Sequence, residues 1–250
     1  MIRVGTAGWS IPRALAGGFP GEGTQLARYA RLMPCAEIDT SFYRSHARAT
    51  YEKWAGYTPR GFRFAVKLPR SITHDGRLKG ARPHLERFLD EVTGLGNRLG
   101  PLLVQLPPSL AFDARSVRAF FLLLRERHAG AVVCEPRHPS WWEAKAQQAL
   151  VDFQIGRVAA DPAVIAEAAR PGGWMGPSGS GASATVYFRL HGSPRVYWSP
   201  YDTEQLRPWS EQMGALPRGA DVWCIFDNTA GGAALDNALA FTRMVSSGPG

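Results

Sequence analysis

Thr185-Val186-Tyr187-Phe188-Arg189-Leu190-His191-Gly192 is an apolar run that turns ionic before it ends. Side chains alternate along a strand, so Tyr187, Arg189 and His191 share one face while Phe188 and Leu190 share the other. Both faces start apolar, as in the parallel strands of α/β proteins, which are covered on both sides. The charged end must then face other polar groups, because an unpaired buried charge is heavily penalised.

Seven further runs have this form, at residues 3–9, 35–43, 62–69, 101–107, 131–138, 156–161 and 221–228. Six of the eight carry a charge at or beyond the midpoint; run 3–9 ends in Trp9 and Ser10, and run 101–107 carries the neutral Gln105. Helical patterns separate them. Thr24 is suited to cap a first helix and Thr50 a second. Leu85, Phe88, Leu89, Val92 and Leu95 recur at helical spacing behind Pro83, which suits a first turn. Asp113 opens a fourth, and Ser140-Trp141-Trp142-Glu143 has the spacing of a capping box for a fifth. Residues 162–170, 203–213 (interrupted by Pro208) and 233–245 complete eight. Strand then helix, eight times at roughly 30 residues per unit, predicts a single (β/α)8 TIM-type barrel over residues 1–250. Residues 171–183, rich in Gly, Ser and Pro, are expected to be a flexible loop on the stability face.

The 250 residues include 29 basic and 21 acidic side chains, for a formal net charge of +8. That balance favours acidic partners: a small anionic ligand, with nucleic acid as an alternative. The basic residues are scattered and form no dense block. Cys35, Cys134 and Cys224 lack CxxC spacing and read as buried thiols. The apolar stretch 119–124 is far too short to span a bilayer, and no secretory h-region precedes the first strand, so a cytoplasmic location is expected. Oligomeric state is left open. GxGxxG after a strand, GK[ST], HExxH and GxSxG are all absent, so the usual signatures of nucleotide, zinc-protease and serine-hydrolase chemistry are missing.

Barrel enzymes place their working groups at the C-terminal ends of the strands. By alternation Glu37, Asp39, Lys67, Gln105, Glu135, Arg137, Arg189, His191 and Asp227 point into the lumen near its mouth, where His138 and Asp161 join them. The bland alternative is an ion-pair network that only plugs the lumen. Glu37 and Glu135 are the general acid/base candidates, with Lys67 tuning one of them and His138 as a proton shuttle or a loop-fixing hydrogen bonder. Arg137, Arg189 and the Gly231-Gly232 start of the last helix are the candidate anion holders. Tyr43, Trp141, Gln105, His191, Asp39, Asp227 and Asn228 complete the expected binding set, with Trp141 readable either as a stacking platform or as core. No cofactor is required. A divalent metal is an alternative that the carboxylates and imidazoles allow, but Lys67, Arg137 and Arg189 would repel it.

Gly5-Thr6-Ala7-Gly8-Trp9-Ser10 resembles the opening GTSGW[ST] of the YecE-like proteins, domain of unknown function number 72. Glu37–Tyr43 resembles E[IV]NSTFY; Phe64–Lys67 with Thr73-His74 the third-strand motif; 102–110 LLxQLPPSF; 135–141 EFRHxSW; and 187–192 YxRLHG. Asp227-Asn228 with Asn237-Ala238 resembles the last motif. The resemblance implies a TIM-type barrel and brings no reaction with it. Asp39 stands where the family usually has asparagine, and Pro136 where phenylalanine is usual. An ionised Asp39 cannot donate the hydrogen bond that an amide could. The residues therefore point to an enzyme acting on a phosphorylated sugar- or nucleotide-like substrate. A non-catalytic nucleic-acid or nucleotide binder and a metal-dependent phosphodiesterase are the alternatives.

Overall fold

The computed structural model describes residues 2–176 and 184–246. Its strands are β1 Ile2–Ala7, β2 Cys35–Ile38, β3 Arg63–Lys67, β4 Leu99–Gln105, β5 Val132–Glu135, β6 Gly156–Arg157, β7 Ala159–Asp161, β8 Gly172–Gly173, β9 Thr185–Leu190 and β10 Asp221–Phe226. They form one sheet in the order β7-β9-β10-β1-β2-β3-β4-β5-β6-β8. Every pairing is parallel except β6–β8. β6 and β7 are two halves of one stave. The first half bonds to β5, Val158 N donates to Cys134 O at 2.8 Å, and the second half bonds to β9. The sheet thus closes on itself as an eight-stave barrel of the TIM type, as the eight runs predict.

The helices are α1 Gln25–Tyr29, α2 Arg48–Gly56, α3 Arg82–Val92, α4 Ala114–Arg127, α5 Ala144–Asp152, α6 Thr203–Gly214 and α7 Ala234–Ser246. Outward strand residues such as Phe64, Val104, Phe188 and Phe226 share one buried core with Leu85, Phe88, Phe121 and Phe241 of the helices. A smaller cluster fills the lumen: Cys35, Ala65, Leu103, Val133, Val158, Tyr187, Trp223 and Ile225. Tyr187 stacks on Trp223 at 6.0 Å and 15°. Trp223 fits because Gly100 lies opposite; a Cβ there would stand 2.7 Å from the indole. Asp221 closes this lower end, accepting from Trp223 Nε1 at 2.8 Å and from Arg3 Nε at 3.0 Å. All three cysteines are buried and unpaired.

Several local expectations need correction. Thr24 and Asp113 do cap α1 and α4, but Thr50 lies inside α2, which starts behind Ala47 with no side-chain cap. Packing of Tyr51 and Trp54 on His46, at 5.8 and 5.0 Å, accompanies that earlier start. Ser140–Glu143 is not a capping box. The chain makes a 3-10 turn over Pro139–Trp142, and the Ser140 hydroxyl is drawn away to accept from Phe112 N at 2.8 Å. α5 begins afterwards, with Glu143 as an N-cap that forms no side-chain bond. Residues 162–170 hold only a 3-10 turn, Ala166–Ala169. The expected loop at 171–183 begins in order: Gly173 pairs with Gly156, and at φ +65° with Ile155 O only 2.6 Å from a would-be Cβ, only glycine suits it. Its remainder, 177–183, lies outside the described residues. Among the described residues no helix is long and apolar enough to cross a membrane.

Candidate functional site

Alternation in β9 sends Tyr187 and Arg189 into the lumen, and the next inward residue is His191. Arg189 is 0% exposed and sits where staves from all sides converge. Its Nε donates to Glu37 Oε2 at 3.1 Å and its Nη2 to Glu37 Oε1 at 2.7 Å, a forked pair with the end of β2. Its Nη1 donates to Glu135 Oε2 at 2.7 Å, at the end of β5, and Nη2 also to Asp227 Oδ2 at 2.9 Å, just beyond β10. Tyr187 OH donates to Glu37 Oε2 at 2.8 Å. Every nitrogen of Arg189 is therefore engaged by carboxylates. The residue expected to hold an anion instead gathers the acids, which take four of its five N–H donors and leave it fully buried.

His191 lies between two of those acids. Its Nδ1 is 3.0 Å from Asp227 Oδ2 and its Nε2 3.0 Å from Glu135 Oε1. A neutral imidazole has one N–H, so satisfying both contacts needs a further proton on the ring or on a carboxyl. Arg137 covers this trio: Nε donates to Glu135 Oε1 at 3.0 Å, Nη2 lies 3.2 Å from His191 Nε2, and Nη1 reaches Tyr197 OH at 3.4 Å. Tyr197 also stands edge-on to the imidazole at 5.6 Å. Lys67 Nζ donates to Asp39 Oδ1 at 2.8 Å and lies over the Phe42 ring. Asp39, the departure from the usual asparagine, thus serves as an ion-pair partner. Gln105, register partner of Glu135, comes only within 3.4 Å of its oxygens.

The environment splits the two glutamates. Burial pushes the Glu37 carboxyl above its ordinary range, with Asp39 and Asp227 adding to it and Arg189 and Lys67 opposing. Burial acts upward on Glu135 too, but Arg137, Arg189 and His191 together overcome it and hold that carboxyl well below the ordinary range. Asp227 is likewise lowered, because Arg189 and the His191 bond outweigh its burial. A proton entering this layer therefore goes to Glu37 before Glu135. Environments that push two carboxyls apart are the arrangement that acid/base catalysis uses.

The other expected residues scatter. Trp141 is fully buried, its Nε1 donating to Leu110 O at 2.9 Å, so its indole is core and presents no stacking face. Asn228 is buried and braces loops, donating to Ser199 O and Asn237 Oδ1, both at 2.9 Å. His138 Nδ1 is taken up by Ser140, whose Oγ is at 2.9 Å, in capping the 3-10 turn. Asp161 accepts from Tyr201 OH at 2.6 Å. Gly231 and Gly232 lie exposed ahead of α7, while Tyr43 is 70% exposed on the loop after β2. Participants outside the expected set include Tyr187, which alternation already puts on the inner face, Phe42 and Tyr197 on loops at the mouth, and His74, which lies off the strands. Among the described residues no group of three or more His, Cys, Asp or Glu is arranged to hold a metal. The physical reason is visible: the Arg189 guanidinium occupies the centre to which the carboxylates point.

Comparison with known proteins places this geometry in a family. The family described as "Protein of unknown function DUF72" matches residues 3–249. The UPF0759 protein YunF of Bacillus subtilis (strain 168) is 26% identical over 281 aligned residues, covering 98% of this chain and 95% of that protein. A DUF72 family protein from Thermotoga maritima, solved by crystallography, superimposes with a TM-score of 0.77 at 25% identity, covering 98% of this chain and 99% of that one. The 3-keto-D-glucoside 4-epimerase of E. coli shares the fold alone, with a TM-score of 0.53 at 11% identity over 98% of each chain. The match across nearly the whole chain settles the assignment: this chain belongs to the DUF72 family.

Proposed function

We propose that the protein is an enzyme that acts on an anionic, phosphorylated sugar- or nucleotide-like substrate by general acid/base chemistry at the C-terminal mouth of the barrel. The observation that carries this reading is the Glu135–His191–Asp227 trio, in which each ring nitrogen faces a carboxylate oxygen at 3.0 Å. The trio holds a mobile proton under a lid of Arg137 and Tyr197. Glu135 is the base, kept ionised by its cationic neighbours, and His191 passes the proton towards Asp227. Glu37 is the second carboxyl of the pair, the one more easily protonated. Arg189 positions all three acids and touches no substrate. Arg137, whose side chain is 22% exposed, and Lys67 meet the substrate's negative charge. The excess of basic over acidic residues, 29 against 21, supports an anionic ligand.

The test is a turnover screen over phosphorylated sugars and nucleotides together with their unphosphorylated counterparts. Glu135→Gln should abolish turnover while circular dichroism shows a folded barrel. An unchanged rate in that variant would sink the assignment of the base.

A second reading, a nucleic-acid binder without catalysis, is favoured by one observation. Tyr43 and Trp198 are 70% and 47% exposed on loops at the mouth, the latter carrying Arg195 at 4.5 Å over its ring. Exposed aromatic faces beside arginine are the platforms on which single-stranded bases stack. That reading requires oligonucleotide binding that weakens steeply with salt. A titration at low salt showing no binding removes it.

A further inference from the structure

The loop after β3 makes a π-helical turn over Ser71–Asp75. Such turns are rare and gather at functional sites. This one carries His74, half-buried, with Nδ1 2.9 Å from Thr73 Oγ1. The imidazole meets Phe42 edge-on at 4.7 Å between centroids, and the Lys67 ammonium lies 4.2 Å from the centroid of that same ring. One aromatic side chain from the loop after β2 therefore contacts both a lysine and an imidazole. Burial depresses the His74 pKa to about 4, with the positive charges of Lys67, Arg137 and Arg70 adding to the effect and Asp75 alone opposing it. Asp75 is itself occupied by a forked pair with Arg70, at 3.1 and 3.0 Å. Lys67 spends one of its three donors on Asp39, and Arg137 Nη1 has only the long contact to Tyr197. Each of these cations already has a carboxylate partner, Lys67 in Asp39, Arg137 in Glu135 and Arg70 in Asp75. Lys67 and Arg137 nonetheless keep N–H donors beyond those bonds.

We propose that Lys67 and His74, which meet on the Phe42 ring, form a subsite for a tetrahedral dianion, the phosphate monoester of the substrate, and that filling it draws a proton from solvent onto His74. This rests on the reading of the mouth as the site of an anionic substrate, and it adds where the anion sits and what it does. A dianion beside the imidazole stabilises the charged ring. By linkage, a protonated ring must then bind the anion more tightly, by the same factor. Thr73 Oγ1 itself donates to Pro69 O at 3.4 Å, so Nδ1–H donates to Thr73 and the added proton supplies the donor that the ring then lacks at Nε2.

Sulfate is the suitable probe, because it has the charge and shape of the monoester and does not titrate in the working range. Calorimetry at constant ionic strength, from pH 5 to 7.5 in two buffers of different ionisation enthalpy, counts the protons taken up. The wild-type protein should take up as much as one proton per sulfate, and its affinity should fall by up to about tenfold per pH unit. His74→Asn, and His74→Gln should the first not fold, should bind sulfate more weakly at pH 5, with no proton uptake and a flat pH profile. Wild-type binding without proton uptake, equal uptake in the variants, or no sulfate binding at pH 5 would each overturn the subsite. None of those outcomes touches the enzyme reading, which stands or falls on turnover of the phosphorylated panel.

Discussion

The two ends of the barrel lumen solve the same filling problem in opposite ways. At the lower end Trp223 and Tyr187 stack and Gly100 leaves the room, so shape does most of the work above the Arg3–Asp221 pair. At the upper end Arg189, fully buried, is surrounded by Glu37, Glu135 and Asp227. Buried ion pairs are weak sources of stability, because desolvation offsets much of the attraction, and apolar residues of similar volume often serve a fold as well or better. The lower end shows that this chain is able to fill its lumen cheaply. An ionic upper end therefore argues for retention by use, and the C-terminal position of that layer is where barrel enzymes work.

Substitutions can break this contrast at either end. The largest effect is expected from Arg189→Met, which leaves three buried carboxylates without their common partner. Breaking buried pairs of this kind costs about 3–5 kcal/mol, to be read in urea unfolding. A loss under 1 kcal/mol would mean that water already reaches the layer. Trp223→Ala should cost about 3–5 kcal/mol through the cavity it opens, yet leave ligand binding at the mouth intact. Gly100→Ala should cost about 1–3 kcal/mol by overpacking against the indole.

The smallest effect, and the most diagnostic, is in pH dependence. Glu135 and Asp227 are held below their ordinary values of 4.5 and 3.8. Their contributions are fully present above those values and are lost as pH falls through the lowered ones. Glu37 has the opposite sign: its contribution is fully present below 4.5 and is lost as pH rises from there through its raised folded value. Glu135→Gln should therefore flatten the acid limb of a stability–pH curve, whereas Glu37→Gln should raise stability at neutral pH relative to acid. Curves for the two variants that superimpose would contradict the split between the glutamates.

Much of the site was legible in the chain. The alternation Tyr187–Arg189–His191 put three inner-face groups on one strand, and the acids at the ends of the second, fifth and eighth runs were all expected at the mouth. What each does was not legible. Arg189 reads as an anion holder until its partners are known, and Glu37 lies 152 positions away in the chain. His138 reads as shuttle or brace, and only the Ser140 hydroxyl on its Nδ1 makes it a brace. Trp141 reads as platform or core, and only its bond to Leu110 O makes it core. Thr50 and Ser140 misled for one shared reason: a capping motif is a local preference worth about 1 kcal/mol, and tertiary partners readily override it.

By itself the sequence determined the class of fold and the end of it that gathers the ionic groups. Hydrophobic runs and their period depend only on neighbours along the chain, and burial acts on them directly. The tertiary structure alone decided the pairing: that one guanidinium would bind three acids, that one imidazole would stand between two of them, and that Phe42 would contact both Lys67 and His74. Charge interactions depend on distance through space and on exclusion of water. Neither quantity exists until the eight staves have closed.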